Sequence, residues 1–427
     1  MMWRNRFWWR NTVLRIVPDY QLVAAVSLLL AGAFLLGVPK STLRNHSADY
    51  ITSYLPAAEG ILAGRGPVDE SGDALTHHPP GYAFMLSGMF FLGNLLKCDR
   101  LQVVRWANAV FFALSSMLLF LIVARHFSLR VAWPTVLLFV MYPINYYMLT
   151  QPNAELPFMV ALFGAVLCFL ECTRNSETVW PALVLGACMA SVLYLRAIAL
   201  FLPFLAAVGI FFSAGPASIR QRLRACALVL FATAVLLLPW QLWVYYKAGE
   251  TILLSSAAGG SVADGLTLAD RDLEALSLPA DVRDLVEENR SIRELGSFDA
   301  PAQFLWQLRI RPLTVFKFAG LKAVYCWFLT HSGRHEQQLA VLNFFYLTLA
   351  LLGLWQISKK KGKVFPTASV VTGVVLIIYF WALAFLVMPI FRYLAPVMGL
   401  LFIFVSVPIL SAWHKCVPAS LSVDPLL

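Results

Sequence analysis

The chain has 427 residues, 60% of them hydrophobic and 13% charged, with a formal net charge of +10. A soluble domain cannot hide that much apolar surface, whereas a bilayer can. The basic residues sit in short clusters between apolar runs, where they set topology, so the positive balance is not that of a nucleic-acid-binding protein.

Taken in chain order, Arg4, Arg6, Arg10 and Arg15 precede the first apolar run, in the manner of an uncleaved signal-anchor. Uncharged runs long enough to cross about 30 Å of hydrocarbon as helices then recur. They predict ten crossings, near 20–38, 103–124, 131–149, 155–172, 180–196, 198–213, 225–246, 338–356, 367–389 and 394–411. Lipid tolerates only helices or closed barrels, and these runs are not barrel strands, so the expected fold is an all-α polytopic bundle. Both termini are placed in the cytoplasm. The short loops on that side carry Arg125 and Arg130, then Arg220, Arg222 and Arg224, then Lys359, Lys360, Lys361 and Lys363. The stretch 79–96 is apolar too, and would make an eleventh crossing. Counting it reverses everything downstream and turns the basic loops outward, so it is read as a juxtamembrane helix that dips in and returns. Seven cysteines without a CxxC pair argue for neither a disulfide framework nor a zinc site, and Cys168 and Cys172 read as packing residues.

Two long outer segments, 39–102 and 247–337, remain within what reads as one domain, 1–427. The second contains ten of the chain's 23 carboxylates between 264 and 299. Its apolar spacing (Leu268, Leu273, Leu276, Val282, Leu285, Val286) predicts short amphipathic helices with a solvated acidic face. The stretch 304–329 is apolar but interrupted by Arg309, Arg311, Lys317 and Lys322, which would be expensive in mid-bilayer. It is expected along the interface, with Trp306 and Trp327 as headgroup anchors.

The first outer segment holds the densest polar chemistry. Asp49 precedes a run in which Tyr50, Tyr54, Ala58 and Leu62 recur at helical spacing. It is either an N-cap or a general base or cation ligand at the membrane surface. In HHPPGY, Pro79 and Pro80 explain a turn that starts a helix, but not the paired His77 and His78, which suit a phosphate or a metal. Glu155 stands at the outer mouth before a crossing, where a helix N-terminus accepts a carboxylate. Arg196 separates two apolar runs and either snorkels or faces a polar cavity. Arg392, with Tyr393 beside it, opens the last crossing, and an arginine fork binds two phosphate oxygens at once.

In these residues the chain resembles the GT-C superfamily of integral-membrane glycosyltransferases. It is most similar to the branch of protein O-mannosyltransferases and aminoarabinose transferases (glycosyltransferase family 39-like). The spacing D-x4-Y-x3-A-x3-L-x-G is met by Asp49, Tyr54, Ala58, Leu62 and Gly64, and the loop-one proline motif by His78, Pro79, Pro80, Gly81 and Tyr82. Leu238-Pro239-Trp240 resembles the family's exit from a middle crossing, and Phe391-Arg392-Tyr393 with Pro396 its late RY-x2-P. The resemblance implies a polyprenyl-phosphate-sugar donor and a membrane lipid partner. It also implies Asp49 as catalytic base, with Glu155 as a second acid. Arg392, Arg196, His78 and Tyr393 would hold the donor phosphate, supported by His77, Tyr54 and Tyr82. A divalent cation (Mg or Mn) at Asp49 and Glu155 is the one cofactor the pattern admits.

Two features depart from the family. Many members pair Asp with Glu in loop one, where this chain has Ala48 and Tyr50 around Asp49, and close relatives have Lys where it has His78. The acceptor would be a glycan, a lipid or a protein, and transfer would invert the sugar. The chain ends soon after its last crossing, which suggests a bacterial inner membrane with a periplasmic active site. A polysaccharide polymerase or O-antigen ligase is the alternative, because Arg309, Arg311, His331, Arg334 and His335 share a late outer segment. A lipid-linked-sugar transporter would call for paired broken helices in two similar halves, and these are not seen.

Overall fold

The computed structural model describes all residues except 1, 40, 45, 70, 175–178, 214–216, 270, 295–298, 360–365 and 417–427. Among the described residues the chain is helical, with one isolated antiparallel bridge between Val68 and Ala74. Lys360, Lys361 and Lys363 lie outside the described residues.

Contacts cluster into two compact units. The first comprises 1–255, 356–370 and 406–427, and the second 256–355 and 371–405. In the first, α1 (Met2–Gly37) is followed by one π-helical turn, Tyr50–Tyr54, and by α2 (Leu55–Leu62), α3 (Gly81–Leu96) and α4 (Arg100–His126). Next come α5 (Leu129–Met141), α6 (Pro143–Thr150), α7 (Glu155–Arg174), α8 (Val179–Leu195), α9 (Leu202–Phe211) and α10 (Ile219–Ala248). The α11–α14 series (Ala258–Thr267, Ala280–Glu294, Ala300–Ile310, Pro312–Tyr325) belongs to the second unit, and α15 (Glu336–Lys359), α16 (Thr367–Leu386) and α17 (Met398–Cys416) contribute to both.

Among the described residues seven helices are long and apolar enough to span a membrane: 19–37, α4, α7, α10, α15, α16 and 395–413. Four more apolar helices are shorter, at Gly81–Leu96, Leu129–Met141, Val179–Leu195 and Ala197–Phe211. The crossing expected at 131–149 is in fact two helices. Tyr142 is extended (φ −72°, ψ 118°) because it precedes Pro143, and the buried Asn145 amide caps the break by donating to the Phe139 carbonyl at 2.7 Å. At 16 residues, α3 is about 24 Å long, short of a bilayer core when upright.

The first unit packs α4 against α1, α5 and α7, and α8 against α7 and α10. The α8–α10 contact relies on small residues. Thr233 Oγ1 donates to the Gly186 carbonyl at 3.1 Å, and a Cβ on Gly186 would strike Ala232 Cβ at 2.6 Å.

The second unit has a core of its own. Leu268, Leu273, Val282, Leu285 and Val286 are buried in it, with Leu276 packed against its edge; Val282, Leu285 and Val286 lie on α12 as the helical spacing predicts, whereas Leu268, Leu273 and Leu276 lie outside the helices. Trp327 departs from the sequence expectation. It is buried, its ring packs near Trp381, and its carbonyl accepts a 2.6 Å bond from the buried Asn343 amide, so it is a core residue and not an interfacial anchor. Trp306 is exposed. Lys322, one of the interrupting charges, is also buried, over the rings of Phe318 and Phe385.

Candidate active site

Four chain segments meet in the first unit: the turn before Tyr50, the His-Pro-Pro-Gly turn, the start of α7 and the end of α8. Ser47, not Asp49, caps the π-helical turn, since its Oγ accepts from the Tyr50 amide at 3.3 Å and the Asp49 carboxylate makes no cap bond. The turn is itself informative, because single π-helical turns often occur at functional sites. Ser47 Oγ also donates to Asn153 Oδ1 at 2.7 Å, which ties the turn to the segment just before Glu155. That segment is fixed from behind by Asn108, whose buried amide donates to the Gln151 carbonyl at 2.8 Å.

The Asp49 Oδ1–His78 Nε2 distance is 3.8 Å, and both side chains keep partial exposure, at 31% and 24%. The ring of His78 stacks on Tyr54 at 5.0 Å between centroids, Tyr54 meets Tyr82 edge-on at 4.9 Å, and His77 meets His78 edge-on at 4.9 Å. The Tyr82 hydroxyl is fully buried and has no hydrogen-bond partner among the described residues. Glu155, Tyr54 and Tyr50 all lie within electrostatic range of it. Burial, then the charge of Glu59, hold the Tyr50 phenol above its ordinary range. Burial and the Arg105 guanidinium lower the nearby His46, which keeps it neutral at pH 7.

Gly81 explains the rest of the turn motif. A Cβ there would meet the Tyr194 carbonyl oxygen at 2.5 Å, so only glycine lets the start of α3 lie against the end of α8. Two residues later stands Arg196, in extended backbone, with Nη1 2.9 Å from Glu155 Oε1. Arg196 retains 12% exposure and Glu155 4%. The Leu-Pro-Trp motif supports loop one from another side. Trp243, three residues beyond Trp240, packs at 3.0 Å on the space where Gly66 would carry a Cβ, and Ser255 Oγ donates to the His77 carbonyl.

The structure therefore brings together Asp49, His77, His78, Tyr54 and Tyr82, with Glu155 and Arg196 as an ion pair beside them. Arg392 and Tyr393 lie half-buried on the turn Phe391–Tyr393 of the second unit, where the Phe391 amide donates to the Leu329 carbonyl at 2.8 Å. Of the residues behind the ligase alternative, His331 and His335 line a cavity in the second unit, while Arg311 pairs with Glu288 at 3.2 Å. Arg196 pairs with Glu155 Oε1, and among the described residues no group of three or more His, Cys, Asp or Glu side chains is arranged to hold a metal. Sequence reasoning missed Ser47, Asn108 and Gln151. The signal for the last was a polar QPN run inside an otherwise apolar stretch.

Residues 77–243 match the family model described as dolichyl-phosphate-mannose-protein mannosyltransferase. That span holds the His-Pro-Pro-Gly turn, Glu155 and Arg196, and begins after Asp49. Among solved structures, the chain is similar to the archaeal oligosaccharyltransferase AglB from Archaeoglobus fulgidus, in complex with an inhibitory peptide and a dolichol-phosphate. The TM-score is 0.56 at 12% identity, over 99% of this chain and 53% of that one. The fold is that of the GT-C glycosyltransferases. A second structure of the Archaeoglobus fulgidus oligosaccharyltransferase, tethered to an acceptor peptide, gives a TM-score of 0.54 at 12% identity, covering 93% of this chain and 50% of that one. ArnT from Cupriavidus metallidurans, bound to undecaprenyl phosphate, gives 0.46 at 13% identity, covering 90% and 76%. The chain thus spans about half the length of the oligosaccharyltransferase, at 53%. No curated protein matches the chain in sequence.

Proposed function

We propose that this GT-C protein is a glycosyltransferase that moves a sugar from a polyprenyl-phosphate carrier to an acceptor hydroxyl, with inversion, on the non-cytoplasmic face of a bacterial inner membrane. The observation that carries the reading is the Asp49–His78 pair at 3.8 Å, partly exposed and backed by the Glu155–Arg196 ion pair. A hydroxyl attacking an anomeric carbon must lose its proton, and a positioned carboxylate accepts it. Asp49 takes that role from its exposed side. As the new C–O bond forms, the bond from the anomeric carbon to the carrier phosphate breaks, and the phosphate leaves with the electron pair. Groups that donate hydrogen bonds to the developing charge stabilise it, and the Arg196 guanidinium and a ring N–H of His78 are the ones at hand. Tyr54 holds the His78 ring by stacking, and Glu155 holds Arg196 in place, as a positioning residue.

The test is full-length protein in detergent, supplied with a panel of radiolabelled polyprenyl-phosphate sugars, with release of the carrier phosphate as readout. The expected result is turnover of at least one donor that disappears in Asp49→Asn. Near-normal turnover in that variant would remove Asp49 as the base.

A further inference from the structure

We propose that a cavity of about 640 Å³ in the second unit is a binding site for a neutral glycan of two or three sugar units. It lies where Arg271–Leu276, the end of α14 and the turn 331–335 before α15 converge. Its volume falls within the range of specific small-molecule sites, roughly 300–1,000 Å³. The floor is aromatic and apolar: Tyr325 and Leu329 are buried, and Phe328 and Leu276 half-buried. The rim is the reverse. Asp272, His331, Ser332, His335, Gln337 and Gln338 are all exposed there, and each exchanges hydrogen bonds with hydroxyls. Aromatic and aliphatic side chains on the buried side and amide, imidazole and carboxylate groups on the exposed side match the two sides of a pyranose, which are apolar C–H and polar O–H.

The charge arrangement selects against an anion. Among the described residues one arginine, Arg271, stands on the wall; it is buried, with Nη1 donating to the Thr330 carbonyl at 2.6 Å and Nη2 to Glu336 Oε2 at 2.9 Å, so both terminal nitrogens are engaged within the protein and only Nε has no partner among the described residues. Asp272 and Glu336 put two carboxylates on the same wall, which a phosphate would have to approach. The site is also built rigidly. Glu336 Oε1 accepts from the Thr330 amide at 2.7 Å, and Arg290 donates to the Arg271 carbonyl at 2.8 Å. His335 is held at φ +61°, a conformation a histidine adopts at a cost and one that concentrates at ligand sites. That the glycan is the acceptor of transfer rests on the function proposed above; the binding site itself does not.

Saturation-transfer NMR on the full-length protein in detergent tests it, with α-mannobiose, cellobiose and maltotriose as probes and inorganic phosphate as competitor. At least one saccharide is expected to bind saturably, with affinity lowered five-fold or more by His331→Ala with Gln338→Ala, both exposed positions, and by Phe328→Leu. Asp49→Asn should bind as the wild type does, so a glycan site that persists without any sugar transfer would separate the two readings. The proposal is overturned if none of the saccharides binds saturably, if the rim and floor variants bind normally, or if phosphate displaces the saccharide.

Discussion

Two largely buried arginine–glutamate pairs, each closed at 2.9 Å, stand one in each unit of this protein. Arg196 and Glu155 join the end of one apolar helix to the start of another in the first unit. Arg271 and Glu336 lock a loop of the second, where Arg271 also reaches the Thr330 carbonyl and its own carbonyl accepts from Arg290. Arg196 keeps more exposure than Arg271, 12% against 7%, and stands beside a titratable cluster. The same ion pair thus does different work. In the first unit it keeps a cation at the edge of the proposed reacting centre, and in the second it fixes the wall of a cavity.

The strongest test of that contrast is chemical. Replacing Asp49 by its near-isostere, Asp49→Asn, should lower transfer about 10²- to 10⁴-fold, the usual worth of a general base, with no change in thermal unfolding. A parallel loss of stability would mean the carboxylate is structural, and the two regions would differ less than their geometry implies.

Arg196→Leu and Arg271→Leu come next. Each strands a glutamate, buried at Glu155 and half-buried at Glu336, which costs up to about 3–5 kcal/mol, less for Glu336. The double variants Glu155→Leu/Arg196→Leu and Arg271→Leu/Glu336→Leu remove the stranded charge and should recover most of the stability. Recovery should restore no transfer in the first case, because the cation proposed to meet the donor phosphate is gone. Thermal unfolding in detergent alongside the donor assay separates these outcomes. If transfer returned with stability in Glu155→Leu/Arg196→Leu, Arg196 would be scaffolding, like Arg271.

Lys322 sharpens the description of the second unit. Burial lowers its ammonium pKa to about 8, from an ordinary value of 10.5. Between those two pH values the unfolded chain binds more protons than the folded one, so stability rises with pH across that window by up to about 3 kcal/mol. Below pH 8 the cost of the buried charge is fully present. Lys322→Met should therefore raise the unfolding temperature at pH 7 and flatten its rise from pH 8 to 10.5. An unchanged pH profile would show that the lysine meets water.

Much of this was legible before any coordinates. Long uncharged runs marked the spans, and the spacing of Leu268, Val282, Leu285 and Val286 marked the buried faces of the second unit. Short-range motifs also pointed to the grouping of Asp49, Tyr54, His78 and Tyr82, because the first two share a helical repeat and the last two share a turn. The illegible parts were pairings between distant positions. Glu155 and Arg196 each stood out alone, but nothing in their spacing of 41 residues says that they meet. The Ser47–Asn153 bond closes over 106 residues. Trp327 was misread because an aromatic near charges looks the same in sequence whether its partner is a headgroup or a buried asparagine. The helix break at Tyr142 hid inside an apolar run whose only marker was Pro143.

Gly81 offers the finest test, since it carries no chemistry of its own. A Cβ there meets backbone atoms of Tyr194 at 2.5 and 2.8 Å, and backbone cannot swing aside as a flexible side chain can. Gly81→Ala should therefore push the start of α3 off the end of α8, at an overpacking cost of about 1–3 kcal/mol. The displacement falls between His78 and Arg196, three residues before the glycine's contact and two after it. Transfer should drop by more than the stability loss explains, with the fall in kcat and not in the donor's KM if both groups act mainly on the departing phosphate. Gly249, at φ +68° where α10 ends, is the matched control: Gly249→Ala strains a helix end but touches no reacting group, so it should lower stability and leave transfer per folded molecule unchanged. Equal effects of the two alanines on turnover would mean that the Gly81 contact does nothing to align His78 with Arg196.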